Sequence, residues 1–362
     1  MKNAVVRQSN FELLRIISML MIVGLHYFNG DMGGALSQLT QTDYNYYVTY
    51  FFESMFIVGV NTFVLITGYF QINKKCVQIN KVIELLFIMT FYGLFFYSIA
   101  LILGWQSFSI VGTIKAAFPI LIGLKWFIKV FIILYLLIPF LNAGLNQLTK
   151  KIYQTFLVIM LFFFSFYPSF LPNSPVTDNG YGIITFVLMY AIGGYLKKFY
   201  EPNGTKSIYF SGYILCATIT FAFSLFVVLV LGRDNSQVWG YNFIFNVFGS
   251  VLLFLFFSKL NIKSKKINYV ASFVLGVYFI HTDPALNDFV YGGLLQTQNY
   301  WFSQWFIVHV LLSILFVYAA STIIDIARKW LFDRVGKVVI PFFKKHIPVL
   351  WGEVPISQRQ VP

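Results

Sequence analysis

The sequence predicts an all-α protein, a polytopic membrane helical bundle of about ten transmembrane helices with both termini cytoplasmic. Three observations predict it. Apolar runs of about eighteen residues or more recur from end to end, the length a helix needs to cross a bilayer. Only 11% of residues are charged, against roughly a quarter in soluble globular proteins, while Phe alone fills 43 positions. The basic residues gather in alternate connections between the runs, the pattern that sets orientation in a membrane.

Spans are expected at 11–29, 47–70, 82–104, 117–141, 154–171, 180–198, 207–231, 239–258, 268–285 and 302–326. The first follows a short basic lead (Lys2, Arg7) and lacks a small-residue cleavage motif, so it reads as a retained signal-anchor helix. Lys74, Lys75 and Lys81 separate the second span from the third, and Lys150 and Lys151 follow the fourth. Lys197, Lys198 and Lys206 follow the sixth, and Lys259, Lys263, Lys265 and Lys266 the eighth. The opposite loops hold only acids: Asp31 and Asp43, Asp178, and Asp288. Lys115, Lys125, Lys129 and Arg233 are exceptions, but the alternation puts an even number of spans between cytoplasmic ends. The expected organisation is a membrane domain over 1–327 and a basic cytoplasmic tail over 328–362. A net charge of +13 would suggest nucleic acid in a soluble chain; here topology explains it and no nucleic-acid partner is expected. No internal repeat or inverted half is visible.

The first span carries Glu12, Arg15 and His26, three ionisable side chains where a bilayer discourages them. Glu12 and Arg15 are three residues apart, and His26 follows Arg15 by eleven, about three turns, so all three share one helix face. An interfacial ion pair snorkelling to the headgroups would explain the first two. A histidine bonded to a neighbouring helix would explain the third. Their common face is what neither explanation requires.

Further along, Gly59, Asn61, Thr62, Thr67 and Gly68 suit close helix packing, and Glu53 is an acid that could face a polar cavity near the outer boundary. Glu84 is expected to pair with a cytosolic lysine. Lys125, Trp126 and Phe127, with Tyr135 and Pro139, read first as an aromatic-belt anchor. Tyr278 and His281 share a face near the outer end of their span, at a depth similar to His26, which makes a polar pocket worth considering. His309 and His346 read as structural. Cys76 and Cys216 suggest neither a disulfide nor a metal site, and no histidine pair has ligand spacing, so no metal is expected. A nucleophile elbow, a phosphate loop and a dinucleotide fingerprint are absent.

These blocks, in this order, resemble the acyltransferase-3 family of integral membrane acyltransferases. Arg7 and Asn10-Phe-Glu-Leu-Leu-Arg15, with His26 beyond an apolar run, are similar to that family's opening. Gly59-Val-Asn-Thr-Phe-Val-Leu-Ile-Thr-Gly-Tyr69 resembles its second block, and Lys125 to Pro139 and Ser272 to His281 its later ones. The resemblance covers nearly the whole chain. Glu12 stands where Asp is commoner, while Asn61 and Thr67 replace an acid and a serine, which argues against a chemical role for those two.

The resemblance implies transfer of an acyl group, usually acetyl, from cytosolic acyl-CoA to a hydroxyl of a cell-envelope or exported polysaccharide. Arg15 would then hold CoA phosphate, Glu12 would orient Arg15, and His26 would act as general base, since an imidazole titrates near neutrality. A transient acyl carrier is the other role open to His26. Glu53, Trp126, Tyr278 and His281 would line the substrate side. Expected partners are membrane lipid, the glycan acceptor and the polysaccharide-synthesis machinery, with the chain a multi-pass protein of the cell (plasma) membrane. Two rivals fit the composition as well: a transporter or flippase for a glycan or lipid-linked sugar, and a structural subunit of a polysaccharide synthase.

Overall fold

In the computed structural model, residues 8–121, 125–171, 173–346 and 353–355 are described, with side chains described as far as Arg334. Arg7, Leu124 and the side chains of Lys337, Lys344, Lys345 and His346 lie outside the described residues. Numbering α-helices of seven or more residues, the order begins α1 (Ser9–Phe28), α2 (Tyr44–Phe56), α3 (Val58–Gln71), α4 (Ile79–Ile102) and α5 (Ile110–Ala117). It continues with α6 (Trp126–Leu145), α7 (Lys150–Leu161), α8 (Ile183–Phe199) and α9 (Lys206–Leu225). The last are α10 (Ile244–Ser258), α11 (Lys265–Ala271), α12 (Val274–His281) and α13 (Phe306–His346). Among the described residues strand is limited to Cys76–Gln78, paired antiparallel with Glu353–Pro355.

Several helices begin where a hydroxyl can satisfy an otherwise orphaned backbone N–H. Ser109, Thr149, Thr205 and Ser264 accept from the N–H of Gly112, Ile152, Ile208 and Ile267 and start α5, α7, α9 and α11. Helices α2 and α3 meet at Ile57, which keeps helical angles, so Tyr44–Gln71 runs as one 28-residue segment. One π turn each, Phe162–Phe166 and Phe226–Val230, lengthens α7 and α9.

Among the described residues seven helical segments are long and apolar enough to cross a membrane: Ser9–Phe28, Tyr44–Gln71, Ile79–Ile102, Trp126–Leu145, Lys150–Phe170, Lys206–Val230 and Phe306–Arg334. The other three expected spans look different. α8 has 17 residues and α10 has 15, the latter only about 23 Å of helix at 1.5 Å per residue. The 268–285 segment is broken at Ser272 and Phe273 into α11 and α12, and α12 is two turns long. The fourth span starts at Trp126 rather than 117, because Ile110–Ala117 forms a separate short helix, α5.

α1 is the hub, packed against α2, α3, α10, α11, α12 and α13. Its Leu14, Ser18, Tyr27 and Phe28 are essentially sealed from solvent, whereas Phe140 of α6 and Val158 of α7 are exposed, as lipid-facing side chains are. α3 and α8 pack backbone to backbone. A Cβ on Gly68 would run into the Tyr190 carbonyl, and one on Gly193 into that of Leu65. Gly59 packs less tightly, a Cβ there standing 2.9 Å from the Ser18 carbonyl of α1, and Ser18 Oγ meets Thr62 Oγ1 at 2.5 Å. The small and polar residues of α3 therefore serve packing.

Gly68→Val is expected to lower stability by roughly 1–3 kcal/mol through overpacking. A thermal melt in detergent checks this, with Gly144→Ala, where a Cβ meets nothing within 4 Å, leaving the midpoint unchanged or slightly higher.

Candidate functional site

The polar stripe of α1 lines two adjoining cavities. Glu12 and Arg15 are in the wall of the first, of about 380 Å³, otherwise built mainly from apolar residues of α3, α6 and α12. His26 is in the wall of the second, of about 260 Å³, with Asn29, Glu53, Trp126, Tyr181 and Tyr241. Ile22, Phe127 and Tyr278 belong to both walls. The two spaces are therefore back to back, strung along the roughly 16 Å of α1 that separates Arg15 from His26.

In the first cavity Arg15 Nη1 meets Glu12 Oε2 at 3.2 Å, an i,i+3 pair whose arginine keeps about a third of its side chain exposed (34%) and whose acid keeps 13%. Tyr135 of α6 lines the same space, and its hydroxyl accepts from the Gln78 N–H at 3.4 Å.

In the second, His26 and His281 meet directly, with Nδ1 of His26 2.9 Å from Nε2 of His281. His281 is 3% exposed, and its Nδ1 lies 2.6 Å from the Val277 carbonyl one turn back on α12. A carbonyl only accepts, so His281 Nδ1 carries the proton and, in the neutral ring, Nε2 is the acceptor. His26 Nδ1–H must then donate to it. The proton-free nitrogen of His26 is therefore Nε2, the tautomer in which an imidazole beside a cavity can take a proton.

The C-terminus of α12 is held by Lys125. Its ammonium donates to the Thr282 carbonyl at 2.9 Å, to Thr282 Oγ1 at 2.7 Å and to the Phe279 carbonyl at 3.4 Å. A cation at the end of a helix satisfies its last carbonyls and complements its dipole. Lys125 is only 4% exposed, and Trp126 turns into the second cavity. The reading of these two as membrane-belt anchors is thus corrected: the charge is used internally, on the helix that carries His281. From the other side, Asp325 of α13 packs against Gly276 of α12 and accepts from Tyr92 Oη at 2.6 Å and Arg328 Nε at 2.5 Å.

Glu53 is 8% exposed and lines the His26 cavity, and its buried Oε2 has no hydrogen-bond partner among the described residues. Asn61 has a structural use: its Nδ2 donates to the Tyr241 carbonyl at 2.8 Å and holds that loop in place. His309 is bonded to Tyr27 Oη at 2.6 Å and to the Leu295 carbonyl, with Tyr300 stacked on its ring. Glu84 is exposed on α4, and no lysine pairs with it among the described residues, so its expected ion pair is absent there. Also among the described residues, no group of three His, Cys, Asp or Glu side chains could hold a metal.

All seven residues singled out from the sequence as site candidates fall on these two cavities or one hydrogen bond behind them: Glu12, Arg15, His26, Glu53, Trp126, Tyr278 and His281. Sequence reasoning missed Tyr181 and Tyr241, which sit in connections with no motif, and missed the inward role of Lys125.

A helical membrane protein with an internal histidine pair, His26 of which lines the smaller of two adjoining cavities, is the class that fold and site define. The chain matches the acyltransferase-3 family, an acyltransferase domain, over residues 8–325, and it belongs to that family of membrane acyltransferases. No curated protein and no solved structure matches it.

The hydrogen-bond chain fixes an observable. In ¹⁵N-histidine NMR of the detergent-solubilised protein at neutral pH, His26 is expected to show a protonated Nδ1 and a pyridine-type Nε2. His281→Ala should abolish that preference, and an Nε2-protonated His26 in the unsubstituted protein would contradict the geometry.

Proposed function

We propose that this protein transfers an acyl group, acetyl in the simplest case, from cytosolic acyl-CoA to a hydroxyl of a cell-envelope or exported polysaccharide, with His26 as general base. The observation that carries the reading is the pair of adjoining cavities, with Arg15 in the wall of one and His26 in the wall of the other. A CoA head is strongly anionic and suits the Arg15 end, where a guanidinium oriented by Glu12 can bind phosphate oxygens in pairs. The pantetheine arm is long, thin and only sparsely polar, which suits a cavity lined mainly by aliphatic and aromatic side chains. Such an arm carries the thioester toward the wall formed by Ile22, Phe127 and Tyr278, behind which His26 waits.

In the reaction the acceptor O–H gives its proton to His26 Nε2 while its oxygen bonds to the thioester carbonyl carbon. The C–S bond then breaks, and the CoA thiolate recovers the proton from the imidazolium. His281 stabilises that imidazolium by accepting a charge-assisted hydrogen bond from Nδ1. Glu53 and Trp126 line the acceptor side. Ten membrane crossings with both termini cytoplasmic complete the proposal: α8, α10 and the broken α11–α12 pair can be short because protein, not lipid, largely surrounds them. The acceptor would then enter from the outer face and the donor from the cytoplasmic one.

Purified protein with radiolabelled acetyl-CoA and the envelope polysaccharide tests this. His26→Ala should lower kcat by roughly 10²–10⁴-fold at normal protein levels. Arg15→Ala should raise the KM for acetyl-CoA by roughly tenfold, with Arg15→Lys recovering only part of it. Full activity of His26→Ala, or sugar transport with no CoA released, would overturn the reading.

A further inference from the structure

We propose that the His26 cavity selects an uncharged sugar ring, laid against Trp126, Tyr181 and Tyr241 with one hydroxyl held by Glu53. The inference rests on the acyl-transfer reading and narrows its acceptor. Trp126 and Tyr241 are stacked, 5.5 Å apart at 26°, and Tyr181 lies 4.5 Å from Trp126 and 4.9 Å from Tyr241, centroid to centroid. Together they make a continuous aromatic wall. A pyranose offers an apolar C–H face that packs on aromatic rings and an edge of hydroxyls that need polar partners once water is displaced. Glu53 supplies such a partner, since its buried Oε2 has none among the described residues.

The wall is built in advance of any ligand. Tyr241 N–H donates to the Asn179 carbonyl at 2.8 Å, and the Tyr241 carbonyl accepts from Asn61 Nδ2 at 2.8 Å. Gly180 takes a left-handed turn at φ +82° against the backbone of Asn242, which brings Tyr181 alongside. Tyr181 is also 45% exposed, so the platform reaches the surface and a ring can arrive along it.

Charge decides the class of ring. Among the described residues no lysine or arginine lines this cavity, and the nearby Lys125 ammonium is turned onto Thr282 and Phe279. A sugar carboxylate or phosphate would meet aromatic faces, which are electron-rich, and a glutamate side chain, with no fixed cation to compensate its lost hydration. Uronic acids and phosphorylated sugars are therefore excluded, and neutral hexoses and N-acetylhexosamines are accepted.

The test uses the intact detergent-purified protein, acetyl-CoA, and a panel of methyl β-glucoside, methyl β-N-acetylglucosaminide and methyl β-glucuronide. At least one neutral glycoside is expected to be acetylated with a kcat/KM about 100-fold or more above that of the glucuronide. Tyr241→Ala should raise the KM for the neutral glycoside roughly tenfold while leaving acetyl-CoA affinity, measured calorimetrically, unchanged, and Tyr241→Phe should restore it. Equal use of the glucuronide, or an unchanged glycoside KM in Tyr241→Ala, overturns the inference. If no glycoside is acetylated, the envelope polysaccharide decides whether the transfer reading stands. Saturation-transfer NMR of the same glycosides without acetyl-CoA then decides this inference by itself: it stands if only neutral rings bind and falls if the glucuronide binds equally or no ring binds.

Discussion

A polar side chain inside a bilayer must find its hydrogen-bond partners within the protein, and the region around α12 is organised by that constraint. α12 is an eight-residue helix whose ends are not anchored by spanning anything. It is held by polar contacts instead. Lys125 caps its C-terminal carbonyls, Asp325 presses on Gly276 from behind, and the His281 ring is locked to its own backbone at Val277 and to His26 on α1. Loss of any one would leave a buried donor or acceptor unsatisfied at a cost of about 1–3 kcal/mol, more where the group is charged. The same contacts that hold the helix also set the tautomer of its histidine. The packing of α12 and the tautomer of His26 are therefore coupled.

The parts of this arrangement legible in the sequence were those that follow from helical periodicity within one segment. Glu12, Arg15 and His26 share a face because three and eleven residues are near-multiples of a turn, and no knowledge of the neighbours is needed. Tyr278 and His281 were legible for the same reason. What could not be read was which way a boundary residue points. Lys125 and Trp126 have the composition of a membrane-belt anchor, and only the packing of α6 against α12 turns one onto Thr282 and the other into a cavity. Tyr181 and Tyr241 come from connections about sixty residues apart, joined by a bond from Tyr241 N–H to the Asn179 carbonyl that no local pattern announces. The long apolar helices were equally legible, whereas the break at Ser272 and Phe273 was not. A hydrophobic run records that a segment is buried, not whether it is one helix or two.

The two cavities differ in the way two unlike ligands would require. The larger is walled mainly by aliphatic and phenylalanine side chains and offers charge only at the Arg15 end, so it favours a thin molecule with an anionic head. The smaller keeps some aliphatic wall (Ile22, Leu25, Ile57, Val60) but adds three tyrosines, Trp126, His26, Asn29 and Glu53, so it favours a compact molecule rich in hydroxyls. The change of lining at Ile22, Phe127 and Tyr278 suits the two-substrate reading.

That meeting place also bears on how wasteful hydrolysis of a thioester would be limited. A base that activates a hydroxyl activates water just as well, so selectivity must come from what can stand next to it. His26 donates from Nδ1 to a histidine that is itself bonded to a carbonyl, leaving only Nε2 to act. A sugar ring seated on the aromatic wall would displace the water nearest that nitrogen and put a hydroxyl in its stead. Glu53, by holding a second hydroxyl of the same ring, would fix which position is presented. On this reading the Glu53 carboxyl oxygen, without a partner among the described residues, gains its hydrogen bond from a bound acceptor, and so favours acyl transfer over hydrolysis.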